Sequence, residues 1–135
     1  MRSSASNNPA QRHKRVRRQH SDELAQDYVE AIHELRERGE AARVTDLQAV
    51  FGVSHVSVVR AVQRLEERGL VVRSGGRGLE LSDEGRQMAI DSATRHSLVV
   101  EFFRALGVSA EQAEADAEGA EHHLSRETLA AMRRF

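Results

Sequence analysis

The pair of short helical patterns on either side of Gly52-Val53 restricts the fold more than any other stretch of this chain. Thr45 can cap the first, whose apolar positions are Leu47, Val50 and Phe51 and which ends at Gly52. Ser54 can cap the second, which runs to about Arg68 and turns Val58, Ala61, Val62 and Leu65 to one side. Two short helices joined by Gly-Val form a helix-turn-helix. Gly69 ends the second helix. Leu70-Val71-Val72, the glycine-rich run Arg73 to Gly78, and Leu79-Glu80-Leu81 then read as a hairpin. The whole segment is a winged helix-turn-helix.

The outward face of the second helix carries His55, Val56, Ser57, Val59, Arg60, Gln63 and Arg64. A helix of this width fits a DNA major groove, where Arg and Gln pair with guanine or adenine edges and Val can touch a thymine methyl. Exposed valines gain nothing on an ordinary solvent face, so Val56 and Val59 favour a reading surface. Arg73 and Arg77 would reach phosphates from the wing, and Thr45 and Ser54 complete the candidate DNA-contacting set. A winged helix used for protein contacts is the competing reading.

The flanking segments are helical too. Ser21 can cap a helix to about Arg38 with an apolar stripe of Leu24, Tyr28, Ala31, Ile32 and Leu35, and Asp27 and Glu30 border that stripe. Ser82 starts a long helix with Asp83 and Glu84 in its first turn, where the helix dipole favours negative charge. Its stripe of Ala89, Ala93, His96, Val100 and Phe103 includes a histidine that needs a partner. Leu98, Phe102 and Leu106 lie on another side of this helix, and a final helix capped by Ser125 adds Leu129, Met132 and Phe135; together they suggest a dimer surface.

Between Ser109 and Ser125 the chain holds Glu111, Glu114, Asp116, Glu118, Glu121, His122 and His123 with no Lys or Arg. On a continuous helix Glu118, Glu121 and His122 stand at i, i+3 and i+4 and share a face. Two readings fit them. Carboxylates and an imidazole pointing one way suit a divalent cation; they also suit a solvated acidic face with a pH-sensitive histidine pair. Glu30-x-x-His33 has the spacing used in pairs by di-iron bundles, but it occurs once.

The 135 residues include no cysteine, which excludes disulfides and thiol chemistry and leaves any metal to harder ligands. No apolar run approaches the roughly 20 residues of a membrane span, so the expectation is a cytoplasmic protein with no membrane association. Charge is segregated. Residues 1–20 carry Arg2, Arg12, Lys14, Arg15, Arg17 and Arg18 against no acid, a sum of +6, while the net charge of the chain is −1. Such a segment is expected to be a loose basic arm, either contacting phosphates or simply solvated. The expected organisation is therefore a flexible arm over 1–20, a winged helix-turn-helix DNA-binding domain over 21–81, and a helical metal-binding and dimerisation domain over 82–135, in a mainly α fold.

Several of these segments resemble the manganese transport regulators, manganese-responsive repressors of the diphtheria-toxin-repressor superfamily. They are Asp27-Tyr28-Val29-Glu30, Ala42 to Leu47, Gly52-Val53-Ser54, Gln63-Arg64-Leu65, Arg77-Gly78-Leu79, Arg95-His96 and Asp116 to Ser125. The last is the most specific, because it combines ligand types, spacing and the following cap. The resemblance implies a paired-metal site. Asp27, Glu118, Glu121 and His122 match the ligands of one ion, and Glu30 and His96 match those of a second ion that shares the carboxylates of Glu118 and Glu121. Asp27 and Glu121 replace the sulfur ligands of iron-sensing relatives, and this harder set fits manganese. His33 and His123 match no family ligand.

The implied function is a Mn(II)-dependent transcriptional repressor of manganese uptake genes, with two Mn(II) ions per subunit. It would act as a homodimer on a palindromic operator, with no organic cofactor and no enzyme activity. Two rivals differ in what they require. A di-metal oxidase or storage bundle needs a second Glu-x-x-His motif. A winged-helix sensor of an organic ligand needs no metal response.

Overall fold

The structure is a computed structural model that describes residues 8–73 and 75–135, without the side chain of Arg77. The backbone divides into two compact units, one ending at Arg86 and the other comprising Gln87–Phe135.

The first unit is built on α1 (Pro9–Glu37), whose buried residues Ala25, Tyr28, Val29, Ala31, Ile32 and Leu35 recur at helical spacing. This helix starts earlier than expected. Ser21 lies within it, and Pro9 to His20 are helical instead of forming a loose arm; Arg2 falls outside the described residues. The start has local causes. The Asn8 side chain accepts a hydrogen bond from the Ala10 N–H at 2.9 Å, and Pro9 occupies the position where a missing N–H costs nothing. The costly helix nucleus is already supplied by the packed half, so extension through Gln, Arg and Lys adds good helix formers.

Next come α2 (Val44–Phe51) and α3 (His55–Glu67). Gly52 ends α2 at φ +62°, in the left-handed conformation that glycine adopts without steric cost. The cap of α2 differs from the expected Thr45. Arg43 holds the N-cap position, and its N–H donates to the Asp46 carboxylate at 2.9 Å, which leaves Thr45 exposed in the first turn. Ser54 caps α3 as expected, accepting from the Ser57 N–H at 3.2 Å. Val58, Val62 and Leu65 are its buried side, with Ala61 half-buried beside them. Tyr28 of α1 stacks on Phe51 at 4.4 Å between ring centroids, fixing α2 against α1.

The wing pairs β1 (Val71–Arg73) with β2 (Leu79–Leu81) antiparallel, in the register Val71 to Leu81 and Arg73 to Leu79. A 3-10 turn over Gly75–Arg77 lies between them. Leu79 N–H also donates to Ala42 O at 2.7 Å, so the hairpin is tied to the strand-like entry into α2. A Cβ at Gly78 would stand 2.6 Å from Ala42 O, which requires glycine there.

Ser82 begins α4 (Asp83–Ala105): its hydroxyl donates to Gly69 O at 2.6 Å and accepts from the Gly85 N–H at 3.0 Å. The helix continues from the first unit into the second, where α5 (Ala110–Ala120), a 3-10 turn (Glu121–His123) and α6 (Arg126–Arg134) follow. Ser109 and Ser125 cap α5 and α6 through the N–H groups of Gln112 and Thr128. The buried side of α4 is Ala89, Ser92 and Val99, with His96 partly covered between them. Ala93, expected inside, faces out. Ala113 and Ala117 are the buried positions of α5.

Candidate metal centre and nucleic-acid surface

In the second unit the structure gives His96 two acidic partners. Its Nδ1 lies 2.5 Å from Glu121 Oε2 and its Nε2 lies 2.7 Å from Glu114 Oε2. Ionised carboxylates only accept hydrogen bonds, so a ring held at both nitrogens by carboxylates must donate from both and is an imidazolium. Burial opposes that charge, but the hydrogen bonds and charges of Glu114 and Glu121 outweigh it and hold the His96 pKa above its ordinary value. Glu121 is 4 % exposed and is also 3.6 Å from His122 Nε2.

This geometry departs from a simple helical face. The α-helix stops at Ala120, and Glu121 and His122 sit in the tighter 3-10 turn, where successive side chains step by about 120°. Glu121 stands about 40° round the axis from buried Ala117 and is covered against His96, whereas Glu118, about 100° from Ala117, stays exposed on α5. Glu114 was not among the expected ligands. Its signal was in the spacing all along: Glu114, Glu118 and Glu121 stand at i, i+4 and i+7, within about 60° of one another on a helix.

In the first unit Asp27 and Glu30 lie on α1 beside the buried stripe, both partly covered. Glu30 Oε1 is enclosed and has no hydrogen-bond partner among the described residues. An enclosed carboxylate oxygen without a donor costs more than a kcal/mol unless something cationic satisfies it. Among the described residues no three His, Asp or Glu side chains already converge as a cation would require. The donors nevertheless fit a hard divalent ion in kind: carboxylate oxygens and imidazole nitrogens, one oxygen unsatisfied, and no sulfur.

The DNA-facing candidates gather on one surface of the first unit. His55, Val56, Ser57, Arg60, Gln63 and Arg64 are exposed on α3, and Val56 is 56 % exposed despite its apolar side chain. Val59, expected to be exposed, is half-buried. Ser54, at the cap, is exposed and bonds Ser57 Oγ at 3.0 Å. His55 and Arg73 have side-chain partners as well. His55 Nδ1 is 3.4 Å from Gln48 Oε1, and Arg73 Nε donates to Glu66 Oε1 at 2.9 Å, so DNA would have to compete for the wing arginine. The side chain of Arg77 lies outside the described residues.

Apolar surface is left over in the second unit. Leu106 and Phe135 are exposed, α6 has no fully buried residue, and Phe135 meets Phe102 edge-on at 5.3 Å. No described helix is long and apolar enough to cross a membrane.

Comparison with known proteins addresses both units. Residues 22–79 match the model of the iron dependent repressor N-terminal DNA binding domain, and residues 82–135 match that of the iron dependent repressor metal binding and dimerisation domain. The transcriptional regulator MntR of Escherichia coli O6:H1 is 47 % identical over 123 residues, which cover 90 % of this chain and 79 % of that protein. The HTH-type transcriptional regulator MntR of Geobacillus kaustophilus is 40 % identical over 100 residues, covering 74 % of this chain and 71 % of that one. Among solved structures, a manganese-dependent transcriptional repressor in complex with manganese superposes with a TM-score of 0.72 at 28 % identity. That match covers 82 % of this chain, which spans about half the length of the solved repressor.

Proposed function

The chain belongs to the iron dependent repressor family, and from that premise we propose that it is a Mn(II)-dependent transcriptional repressor of manganese uptake genes. The observation that carries the metal half of this reading is His96, gripped at both nitrogens by Glu114 and Glu121 next to His122. In the metal-free chain the His96 imidazolium is the counter-charge of these two carboxylates, and a divalent cation would replace its proton in that role. The solved manganese-dependent repressor in complex with manganese supports manganese as the ion, and the sulfur-free donor set agrees with it.

The proposed ligands are Asp27, Glu30, His96, Glu118, Glu121 and His122, for two ions per subunit. A bound ion supplies positive charge that neutralises these carboxylates. The chain's own residues do the rest. Glu121 orients the His96 ring, Glu114 holds that ring's second nitrogen in the protonated state, and the ring must give up a proton before the nitrogen can become a ligand. Asp27 and Glu30 stand on the helix that packs against α2 and α3, so metal occupancy and the DNA-reading surface share a scaffold. Under linkage, a metal that favours DNA binding must itself bind more tightly to the DNA-bound protein.

The proposed DNA contacts are Thr45, Ser54, His55, Val56, Ser57, Val59, Arg60, Gln63 and Arg64, with Arg73 and Arg77 on the wing. A homodimer would present two copies of α3 to the half-sites of a palindromic operator, about 34 Å apart, in the cytoplasm where the DNA lies.

The experiment is DNA binding at fixed salt with a duplex selected from random sequence in the presence of Mn(II), measured against Mn(II), Mg(II), Fe(II), Zn(II) and excess chelator. Tight binding with Mn(II) that chelator abolishes supports the reading. Equal binding in chelator overturns it and favours a sensor of an organic ligand.

A further inference from the structure

We propose that the amino-terminal stretch of α1, Pro9 to His20, is a second DNA-binding element that grips phosphates beside the base pairs read by α3. This rests on the DNA-binding reading above and extends it to a segment outside the matched family domains, which begin at residue 22. The stretch carries Arg12, Lys14, Arg15, Arg17 and Arg18 and no acid, and all of its side chains are exposed. Among the described residues none of these five cations has an acidic partner. Lys14 repels Arg17 and Arg18 at i+3 and i+4, Arg12 repels Arg15, and positive charge in the first turns opposes the helix dipole. Val16 is its only large apolar residue and is 61 % exposed, so packing gives nothing back. A helix so constituted is stabilised when a polyanion neutralises it.

Two further features point to duplex phosphates as that polyanion. At 100° per residue the five cations are spread around the helix, with only the arc between Arg12 and Arg17 left without one. That distribution fits backbone charge, which carries no sequence, and it lacks the apolar face with which a helix lies on a lipid surface. The stretch also continues the reading surface. Arg60 and Arg64 on α3 and Arg68 at its C-cap recur every four residues, and Arg64 and Arg68 line a small cleft with Ser21 and Leu24, at the point where the basic stretch ends. Arg68 is tied there to Asp22 at 3.4 Å. From Pro9 to His20 the helix runs about 18 Å, the length of about five base pairs.

The test replaces Arg12, Lys14, Arg15, Arg17 and Arg18 by Gln in the full chain, with a second variant carrying only Lys14→Gln and Arg18→Gln. Mn(II)-loaded protein is titrated onto the selected duplex and onto a scrambled one from 50 to 200 mM salt. Each lost phosphate contact removes about 0.9 from the slope of log K against log salt. The five-fold variant should therefore lose between about 2 and 4.5 per protomer, and the double variant a smaller part of that. Both duplexes should be affected alike, so the preference for the selected duplex is unchanged. Removing about five flanking base pairs should give the unaltered protein the same loss. Unchanged slopes in both variants overturn the proposal while leaving the DNA-binding reading intact. A loss confined to the selected duplex also overturns it, since that signals base reading. If the unaltered, Mn(II)-loaded chain binds neither duplex, the DNA-binding reading falls and takes the proposal with it.

Discussion

Replacing Glu114 by Gln isolates the charge that holds His96 in the absence of metal. Gln keeps an acceptor oxygen near Nε2, so the hydrogen bond can persist while its ionic component is lost. The bond from the imidazolium stays charge-assisted with Gln, so what is lost is the attraction of an ion pair whose Glu114 side chain is 61 % exposed and screened by water, about 0.2–1 kcal/mol. The pH at which this appears follows from the direction of the His96 shift. The folded pKa is raised, so the clamp's contribution is fully present below the unfolded value of about 6.5 and disappears as pH rises through the folded pKa. The assay is chemical denaturation of the full, metal-free chain at pH 5.5 and pH 9. Glu114→Gln should destabilise by up to about 1 kcal/mol at the lower pH and by close to nothing at the higher one. Equal destabilisation at both would refute the reasoning, since it would show that Glu114 acts by packing or helix propensity instead of by charge.

Further expectations concern other parts of the chain. Glu121→Ala should abolish the Mn(II) response of DNA binding and leave the helical circular dichroism signal intact; an unaltered response would remove Glu121 from the ligand set. Binding of Mn(II) should release protons at pH 6, because His96 is then an imidazolium. Calorimetry in buffers of different ionisation enthalpy counts them, and a count of zero would contradict the assigned protonation state. Gly85→Ala should destabilise the fold by about 1–3 kcal/mol, since a Cβ there would fall 2.1 Å from Leu70 O, a backbone atom that the Ser82 cap holds in place. A melting temperature equal to that of the unaltered chain would show that the α4 start can shift.

The elements that a short periodic pattern defines were legible in the sequence. Ser54, Ser82, Ser109 and Ser125 each sit at a helix start and accept from a backbone N–H as their residue type leads one to expect. The α3 stripe was equally legible, because Val58, Val62 and Leu65 repeat at helical spacing around a glycine stop. Misreadings arose where two physical effects compete. Composition alone made Pro9 to His20 a loose arm, but a helix already nucleated downstream extends through such residues at little cost. Thr45 has the chemistry of a cap, yet Asp46 one residue on bonds the Arg43 N–H and sets the start earlier.

The candidate site shows the same division. Residue types and the resemblance named His96, Glu121 and His122, and the structure brings these three together. Glu118 and Glu121 share a face only loosely: Glu121 stands about 40° from buried Ala117 and is covered, whereas Glu118 stands about 100° from it and is exposed. The same spacing puts Glu114 beside them, but its part shows only when His96 is seen between it and Glu121. On α1 the stripe edge located Asp27 and Glu30, but only the folded chain shows that Glu30 Oε1 has no hydrogen-bond partner among the described residues.

The central claim is that metal and DNA are bound by one coupled protein, and the affinity for Mn(II) with and without DNA measures that coupling. Calorimetric titration of Mn(II) into the free chain and into the chain on its selected duplex, at equal salt and pH, should show tighter binding on DNA by roughly 5- to 150-fold, or about 1–3 kcal/mol. Identical affinities in the two titrations would contradict the account.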